Sequence, residues 1–507
     1  DTMALRLETC LYFLVLFVDL CTCAPTLVAE LDYGTFQGSY SARYNLSYWQ
    51  KIPFAAPPTG QNRFRGPQPP IPITNGTFNS TQPFDMCPQR TVNGSEDCLY
   101  LGLYSKPWTK GQPLRPVVVV FYGGGFIQGS AYFSIPPSVN AFGLLPGREI
   151  AADPLSDLNP GLLDQHAALK WTNRYISSFG GDPKNVSIWG QSAGGGSVVA
   201  QVMAQSGRTS PSLFSKALAS SPFWPKTYKY NALQAQALYD SLASLTGCSG
   251  PGSLQCLKMA DVQTIRNASL IISGSHTYNT SSYAWSPVID GSFLTQPLSS
   301  ATARGQVDID YGFGMYNLHE GENFIPPGFQ HAVSSGSPPF NSSVMSLTAW
   351  LKGYLPGLSD RDRSRVLSLY PAQGSAEGLP SYNTTYIRAG LIFRDTVLAC
   401  PAYWMASAAR KKSYLGEYTI SPAKHASDTI YQTDAFTYQG YAGAFASFFE
   451  TGDPNAHKLT NETIAGVPEL HTGKQFLVSQ EVFSEVSIAQ LGQRCDYWRS
   501  VAHRIPI

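Results

Sequence analysis

Two apolar runs in this sequence each end in a glycine-rich turn. The first reads V-V-V-V-F-Y-G-G-G-F over residues 117–126, and the second reads V-S-I-W-G-Q-S-A-G-G-G over residues 186–196. Four consecutive valines predict a strand that is buried on both faces of a parallel sheet. A helical pattern over residues 161–179 separates the two runs and ends at a Gly-Gly-Asp-Pro sequence. This order of strand, helix and strand predicts an α/β fold.

The second turn contains a predicted nucleophile. Gly190-Gln191-Ser192-Ala193-Gly194 matches the pattern G-x-S-x-G, in which small residues permit a sharp turn from strand to helix. Such a turn holds the serine hydroxyl clear of the backbone, and the first amides of the helix face the same point. An inert glycine turn is the alternative. We favour a nucleophile at Ser192 because the pentapeptide lies between a predicted strand and a predicted helix.

The first turn is predicted to bind the substrate oxygen during attack by that serine. Gly123-Gly124-Gly125 would let backbone N–H groups approach a substrate oxygen without interference from a Cβ atom, as in an oxyanion hole. A phosphate-binding loop is the alternative, but no G-K-[ST] sequence follows. A serine nucleophile also needs a histidine base and a carboxylate that orients it. Spacing does not choose among the histidines that follow Ser192, which are His276, His319, His331, His425, His457, His471 and His503.

The N-terminal segment predicts export from the cell. Residues 3–24 contain one arginine, about a dozen mostly apolar residues and then small residues, which is the pattern of a signal peptide. Asp19 interrupts the run, and the run is short for a membrane-spanning helix, so we expect no stable membrane anchor. A buried core helix is the alternative. We interpret residues 1–2, which precede the methionine, as an artefact of the gene model, and we interpret residues 25–507 as a single domain. A net charge of +1 gives no reason to expect nucleic acid as a partner.

Cysteine and asparagine usage agrees with secretion. Three of the nine cysteines fall in the predicted leader, and the remaining six are an even number, as an oxidising compartment favours. Cys87/Cys98 and Cys248/Cys256 are close enough to form local loops, which would leave Cys400 and Cys495 for a long one. A metal site is the weaker alternative, since no C-x-x-C spacing occurs. Glycosylation is predicted by ten N-x-S/T sequons, at Asn45, Asn75, Asn79, Asn93, Asn185, Asn267, Asn279, Asn341, Asn383 and Asn461. Asn185 opens a predicted buried strand, so we do not expect that site to be modified.

Motifs along nearly the whole chain resemble the type-B carboxylesterase family, which includes the cholinesterases and some fungal lipases. They include I-P-F-A-A-P-P-T-G-Q-N-R-F at 52–64, S-E-D-C-L-Y-L at 95–101, F-G-G-D-P-K-N-V at 179–186, H-E-G-E-N-F at 319–324 and T-G-D-P-N at 451–455. The resemblance implies an α/β-hydrolase fold with a large, mostly parallel central sheet flanked by helices. It also implies hydrolysis of small-molecule carboxylic esters without a metal or another cofactor.

The resemblance assigns roles to particular residues. The catalytic acid would be Glu320 and the base His425, with oxyanion donors at Gly124, Gly125 and Ala193. The implied disulfides are Cys87–Cys98, Cys248–Cys256 and Cys400–Cys495. Arg63 and Glu96 resemble a structural ion pair of the family, so Glu96 is not interpreted as catalytic.

Small departures from the family pattern bear on specificity. Gln191 replaces the usual Glu before the nucleophile, and Ala426 replaces the usual Gly beside the base. Only ten residues lie between Cys87 and Cys98, and none is Trp. In related lipases this loop is a long lid, and in cholinesterases it carries a Trp for the choline cation. The short loop therefore favours soluble or modestly apolar esters. Phe126, Phe223 and Trp224 are either pocket residues or core aromatics.

A larger departure concerns the sheet. The interval from Gly125 to Ser192 is shorter than the resemblance implies, and it lacks a central strand whose arginine would pair with Asp164. We therefore expect that a coding segment is missing near Ser138–Val139. The favoured function is a secreted ester hydrolase with a Ser192–Glu320–His425 triad. The alternatives are a catalytically silent binding or adhesion protein of the same superfamily and a lipase for longer-chain glycerides.

Overall fold

The computed structural model describes residues 27–129, 138–275, 283–433, 439–457, 466–480 and 482–507. The predicted signal peptide lies outside the described residues. The same holds for His276, for the sequons at Asn279 and Asn461, and for residues 130–137 before the Ser138–Val139 junction.

The strands of the described residues are β1 (Val28–Leu31), β2 (Gly34–Gln37), β3 (Ser39–Ser41), β4 (Leu46–Pro53), β5 (Thr77–Asn79), β6 (Tyr100–Ser105), β7 (Arg115–Phe121), β8 (Gly181–Gln191), β9 (Lys216–Ser220), β10 (Tyr311–Asn317), β11 (Gly374–Ala376), β12 (Leu379–Tyr382), β13 (Lys412–Tyr418), β14 (Lys474–Ser479) and β15 (Val482–Ser487).

The helices are α1 (Asn140–Leu144), α2 (Arg148–Ala152), α3 (Pro160–Tyr175), α4 (Ala193–Met203), α5 (Leu233–Leu245), α6 (Ser253–Met259), α7 (Val262–Ser275), α8 (Leu298–Ala303), α9 (Val344–Tyr354), α10 (Asp360–Leu369), α11 (Thr385–Arg394), α12 (Cys400–Ser407), α13 (Thr429–Thr433), α14 (Gln439–Thr451) and α15 (Ala489–Val501). A π-helical turn joins α11 to α12. Across the described ranges, no helix is long and apolar enough to cross a membrane.

A seven-stranded sheet forms the centre of the fold, in the order β15-β14-β13-β10-β9-β8-β7. All neighbouring strands are parallel except β14 and β15. The turns after β7, β8, β9, β10 and β13 therefore open at one edge of the sheet, where parallel α/β sheets place their functional residues. The predicted α/β fold with helices flanking a large sheet is confirmed.

Hydrophobic clusters cover both faces of this sheet. On one face, α4 contacts β8 and β9, and α12 contacts β10. On the other face, Phe313 of β10 packs edge-on against Phe445 and Phe448 of α14. The strand β9 is buried at every residue because it lies in the middle of the sheet between these layers. Burial on both faces is why its sequence, K-A-L-A-S, shows no alternation of apolar and polar residues.

The valine run occupies a different position from the one expected. β7 is the outermost strand of the seven-stranded sheet, and it pairs with β8 alone among the described strands. As a result Val119 is buried, whereas Val117, Val118 and Val120 are only half-buried. The prediction that the whole run is buried on both faces is wrong for this structure. The strand that precedes β7 in the sequence, β6, belongs to a separate three-stranded antiparallel sheet of order β3-β4-β6.

Asp164 is the second feature tied to the expected missing strand. It lies on α3 and is almost fully buried at 1% exposure. Its carboxylate accepts a hydrogen bond from the Ser138 amide at 2.9 Å. Burial raises the pKa of Asp164 to about 7, and the hydrogen bonds from Ser138 offset this only in part. Among the described residues, no salt bridge joins Asp164 to a basic side chain.

Candidate active site

Ser192 lies at the sharp turn between β8 and α4. Its backbone has φ 59° and ψ −127°, a strained conformation for a residue with a side chain. Two glycines make the turn possible. A Cβ at Gly190 would lie 2.2 Å from the backbone of Gly194, and a Cβ at Gly194 would lie 2.1 Å from the Phe121 carbonyl oxygen. Gly190 is therefore required by the close approach of the start of α4, and Gly194 by the packing of the turn against β7.

A continuous hydrogen-bonded chain links Ser192, His425 and Glu320. The Ser192 Oγ lies 2.7 Å from His425 Nε2, and His425 Nδ1 lies 2.9 Å from Glu320 Oε2. A carboxylate only accepts hydrogen bonds, so Nδ1 carries the proton, and Nε2 of the neutral imidazole accepts from the serine hydroxyl. The Glu320 side chain is fully buried, and the His425 side chain is 12% exposed. The structure thus brings together the three residues that the sequence analysis named.

Hydrogen bonds from backbone amides hold the loops of Glu320 and His425 in place. The Asn317 amide donates to Glu320 Oε1 at 3.0 Å, and the His425 amide donates to Asn323 Oδ1 at 3.0 Å. Phe324 presents its ring edge-on to the His425 imidazole, with centroids 5.0 Å apart. These contacts restrict the imidazole to the orientation in which it reaches the serine.

The first glycine turn, Gly123–Gly125, packs against the turn that contains Ser192. A Cβ at Gly123 would lie 2.6 Å from the Gln191 carbonyl oxygen and 3.0 Å from Ser192 Cβ. Gly124 has φ 123°, and a Cβ there would lie 2.2 Å from the Gln128 carbonyl oxygen. Gly125 has φ 65° and has open space around it, so its backbone conformation is what favours glycine. The two turns therefore lie side by side, with Ala193 at the start of α4 after Ser192.

The sequence analysis missed a second carboxylate of the H-E-G-E-N-F motif. Glu322 accepts from His319 Nδ1 at 2.8 Å and forms a short ion pair with Lys424. Burial alone would raise the pKa of Glu322, but these two partners hold it below the ordinary value. His319 precedes Glu320 in the chain, and Lys424 precedes His425. Glu322 therefore connects the loop of Glu320 to the loop of His425, and the repeated Glu in the motif was the available clue.

Asp428, three residues after His425, was also missed. It is fully buried and accepts from Asn317 Nδ2 at 3.0 Å and from the Tyr441 hydroxyl at 3.1 Å. Burial raises the pKa of Asp428, and the nearby charge of Glu320 acts in the same direction. Asn317 also donates to the Lys424 carbonyl at 2.8 Å. Asn317 and Asp428 thus add a second polar link between the loop of Glu320 and the loop of His425.

The two small departures have local consequences. Ala426 adopts φ 69°, a left-handed conformation in which glycine would be unstrained, so Ala carries a modest backbone cost there. The Gln191 side-chain nitrogen is buried and has no hydrogen-bond partner among the described residues. Neither change disturbs the distances from Ser192 to His425 and from His425 to Glu320.

The aromatic candidates separate into two groups. Phe223 donates its amide to the Ser192 carbonyl at 2.8 Å, and its ring contacts Phe324. The Phe126 ring lies against the first turn of α4, 3.1 Å from where a Cβ of Gly196 would be. Phe223, Phe126 and Phe324 therefore form an apolar wall beside the site. Trp224 is fully buried and bonds through its amide to Val397, which places it in the core.

The remaining sequence features lie outside this site. Arg63 and Glu96 form a buried bidentate pair at 2.6 and 2.7 Å. The structure contains the disulfides Cys87–Cys98, Cys248–Cys256 and Cys400–Cys495. No group of three His, Cys, Asp or Glu residues in the described part of the chain is arranged to hold a metal ion. Four other histidines were considered as bases and are described by the structure: His331, His457, His471 and His503. All four are exposed, whereas His319 contacts Glu322 as described above.

The chain is similar to known proteins in sequence and in fold. Carboxylesterase patB of Aspergillus clavatus is 26% identical to the chain and aligns with 96% of it and with 99% of its own length. Secreted lipase 1 of Botryotinia fuckeliana is 27% identical over 90% of the chain and 89% of its own length. The crystal structure of Aspergillus niger EstA superimposes with a TM-score of 0.80 and covers 95% of the chain and 99% of its own, at 23% identity.

Fold and relatives together define a carboxylic-ester hydrolase with the α/β-hydrolase fold. The model of the carboxylesterase family matches residues 25–140 and 151–465. The chain therefore belongs to the carboxylesterase family. The alignment with patB runs over 576 positions, more than the 507 residues of the whole chain, so that relative contains residues with no counterpart here.

Proposed function

We propose that this chain is a secreted serine ester hydrolase that acts through Ser192, His425 and Glu320. The observation that carries the proposal is the pair of hydrogen bonds from Ser192 to His425 and from His425 to Glu320, at 2.7 and 2.9 Å. Secretion rests on the leader-like residues 3–24, on the three disulfides and on relatives named as secreted lipases. Residues 25–507 would form the mature single domain.

The reaction follows from the positions of these atoms. Ser192 Oγ attacks the ester carbonyl carbon while its proton moves to His425 Nε2. The negative charge that develops on the carbonyl oxygen is stabilised by the amides of Gly124, Gly125 and Ala193. The alcohol then leaves with the proton from Nε2, and water repeats the sequence on the acyl-enzyme. Glu320 accepts from Nδ1–H throughout and stabilises the imidazolium.

A lipase acting on longer-chain glycerides is the second candidate, because several relatives are named secreted lipases. The Cys87–Cys98 loop argues against it. Arg90 of this loop donates to Gln128 at 2.7 Å, and Asn140 donates to the Pro88 carbonyl at 2.9 Å. A ten-residue loop that is held by such contacts favours esters in solution over an oil surface.

Hydrolysis of p-nitrophenyl esters from acetate to palmitate tests both candidates. The assay compares wild type with Ser192→Ala, below and above the solubility limit of each ester. The proposal predicts turnover of short esters that is lost in Ser192→Ala and shows no jump in rate at the limit. An equal rate in Ser192→Ala would refute the triad, whereas a jump in rate with long esters would favour the lipase.

A further inference from the structure

A cavity of about 730 Å³ borders the loops that carry Glu320 and His425. His319 and Glu322 line it from the first loop, and Lys424 lines it from the second. None of the three triad residues is among its lining residues, so the cavity is distinct from the active site. A ligand bound there contacts both loops without contacting the triad.

The lining of this cavity has the chemistry of a carbohydrate site. A sugar presents hydroxyl groups that donate and accept hydrogen bonds, and an apolar C–H face that packs on an aromatic ring. The lining includes aromatic, amide and hydroxyl side chains, from Phe329, Tyr386, Gln330, Ser342, Thr385 and Ser421. The ion pair between Lys424 and Glu322 leaves no strong net charge for an ionic ligand. The cavity therefore suits a neutral ligand that is rich in hydroxyl groups.

Contacts with both loops hold the Tyr386 ring at this cavity. Its hydroxyl donates to the Glu322 carbonyl at 3.1 Å, and Lys424 Nζ lies 5.6 Å from the ring centroid. Tyr386 is half-buried, so part of its surface stays accessible. The Lys424 ammonium bonds Glu322 and has further N–H donors for a sugar oxygen. An aromatic surface and a hydrogen-bond donor therefore lie side by side.

The chain has a carbohydrate attachment sequence at the same cavity. Residues 383–385 form an N-x-T sequon, and all three line the cavity. Asn383 is exposed, and its side chain forms no hydrogen bond with a described residue. By contrast, the Asn341 side chain in another sequon donates to Ser334 Oγ at 3.1 Å. The amide of Asn383 is therefore free to carry a glycan.

Local hydrogen bonds fix the backbone of this sequon. The Thr384 side chain accepts from the Ile387 amide at 3.2 Å and so caps α11. Thr385 donates its hydroxyl to the Ser342 carbonyl, which belongs to another residue of the lining. A glycan on Asn383 therefore starts from a fixed point at the cavity. Covalent attachment gives its first sugar a high local concentration there, so weak contacts are sufficient to bind it.

We propose that this cavity is a carbohydrate-binding site and that its occupant is the first N-acetylglucosamine of an N-glycan on Asn383. The sugar packs against Tyr386 and bonds Lys424, so it links the start of α11 to the loop that carries His425. The inference rests on the proposed secretion, because N-glycans are added to exported chains. It does not depend on which ester is the substrate.

Endoglycosidase digestion of the secreted, folded protein tests the proposal. Trypsin cleaves after Arg365 and Arg388, so the peptide of residues 366–388 contains Asn383 as its one sequon. The peptide of residues 44–51 contains the exposed Asn45 as a control. In the folded protein we expect release of the glycan from Asn383 to be about tenfold slower than from Asn45, the effect of one or two hydrogen bonds. The two rates should become equal after denaturation.

The other outcomes separate this inference from the proposed secretion. Equal rates of release in the folded protein would overturn the binding site. A peptide 366–388 without a glycan, found together with a modified Asn45, would overturn it and leave secretion in place. If neither peptide carries a glycan, the binding site is wrong and the proposed secretion loses its support from the sequons.

Substitutions at two tyrosines test the contact itself. Tyr386→Leu removes the ring at the cavity, and Tyr44→Leu removes an exposed ring next to the control sequon. We expect Tyr386→Leu to raise the rate of release at Asn383 to that at Asn45, whereas Tyr386→Phe and Tyr44→Leu leave Asn383 protected. Urea unfolding shows which variants are folded. Protection of Asn383 that persists in folded Tyr386→Leu would overturn the proposal.

Discussion

Replacing Glu322 with Gln tests whether the loops that carry the acid and the base must be held together by charge. The substitution keeps the shape of the side chain and removes its negative charge. Glu322 is 6% exposed, and its stem packs against Gly390 of α11, where a Cβ would approach Glu322 Cγ to 2.5 Å. The variant side chain therefore stays in place while the ion pair with Lys424 is lost.

The expected cost follows from the burial of the partners. Removing one member of a buried ion pair costs about 3–5 kcal/mol, but Lys424 is 34% exposed, so we expect about 2–3 kcal/mol in the free energy of unfolding. When the loop that carries Lys424 and His425 is released in the variant, we expect His425 to move away from Ser192. Misplacement by about 1 Å can cost about a hundredfold in rate, so we expect kcat to fall about 10- to 100-fold with little change in KM.

The pH dependence of the stability effect has a definite sign. Glu322 has a pKa below its ordinary value of 4.5 in the folded protein. Its contribution is therefore complete above pH 4.5 and is lost as the pH falls through the folded pKa. Wild type and Glu322→Gln should differ fully at pH 7 and converge in strongly acidic solution.

Glu469→Gln is the matched control for these measurements. Glu469 also bonds a lysine and a histidine, with Lys412 at 3.4 Å and His471 at 3.3 Å, but its side chain is 32% exposed. Urea unfolding gives the stability, and active-site titration with a fluorophosphonate gives the rate per functional site. If Glu322→Gln matches Glu469→Gln in both, then the charged link between the loops has no role in catalysis.

Three further predictions concern the acid, the oxyanion turn and the disulfides. Glu320→Gln should lower kcat about 10³- to 10⁴-fold in steady-state hydrolysis, because the imidazole loses its tautomeric control, and near-normal activity would remove Glu320 from the triad. Gly124→Ala should lower kcat about 10²- to 10³-fold, since the turn must shift, while unchanged kcat would show that this amide does not stabilise the oxyanion. Removing the Cys400–Cys495 disulfide, which closes a loop of 95 residues, should lower the free energy of unfolding by about 4.7 kcal/mol. Removing Cys248–Cys256, which closes a loop of 8, should lower it by about 2.5 kcal/mol. Equal losses in urea unfolding would contradict the loop-entropy argument.

Local sequence was sufficient to locate Ser192 and the glycine turn. Both lie where a parallel strand ends. At most of these glycines backbone atoms approach within about 2–3 Å of where a Cβ would be, and at Gly125 the positive φ favours glycine. The base could not be found in this way. His425 lies 233 residues from Ser192 and 105 from Glu320, so only the resemblance distinguished it from six other histidines.

Long-range packing accounts for what the sequence did not predict. Glu322 and Lys424 are 102 residues apart, and nothing in either local pattern indicates that they pair. The valine run was predicted to be central because its composition is that of a central strand. In the structure it is an edge strand because no described strand lies between β6 and β7.

Covalent labelling of Ser192 is the most direct test of the central claim. The enzyme is treated with a fluorophosphonate, and the tryptic peptide of residues 185–208, which contains Ser192, is analysed by mass spectrometry. If Ser192 is the activated nucleophile, one phosphonyl group is expected on Ser192 in folded wild type and none in Ser192→Ala. A folded, soluble wild type that never labels, or a label that persists in Ser192→Ala, would contradict it.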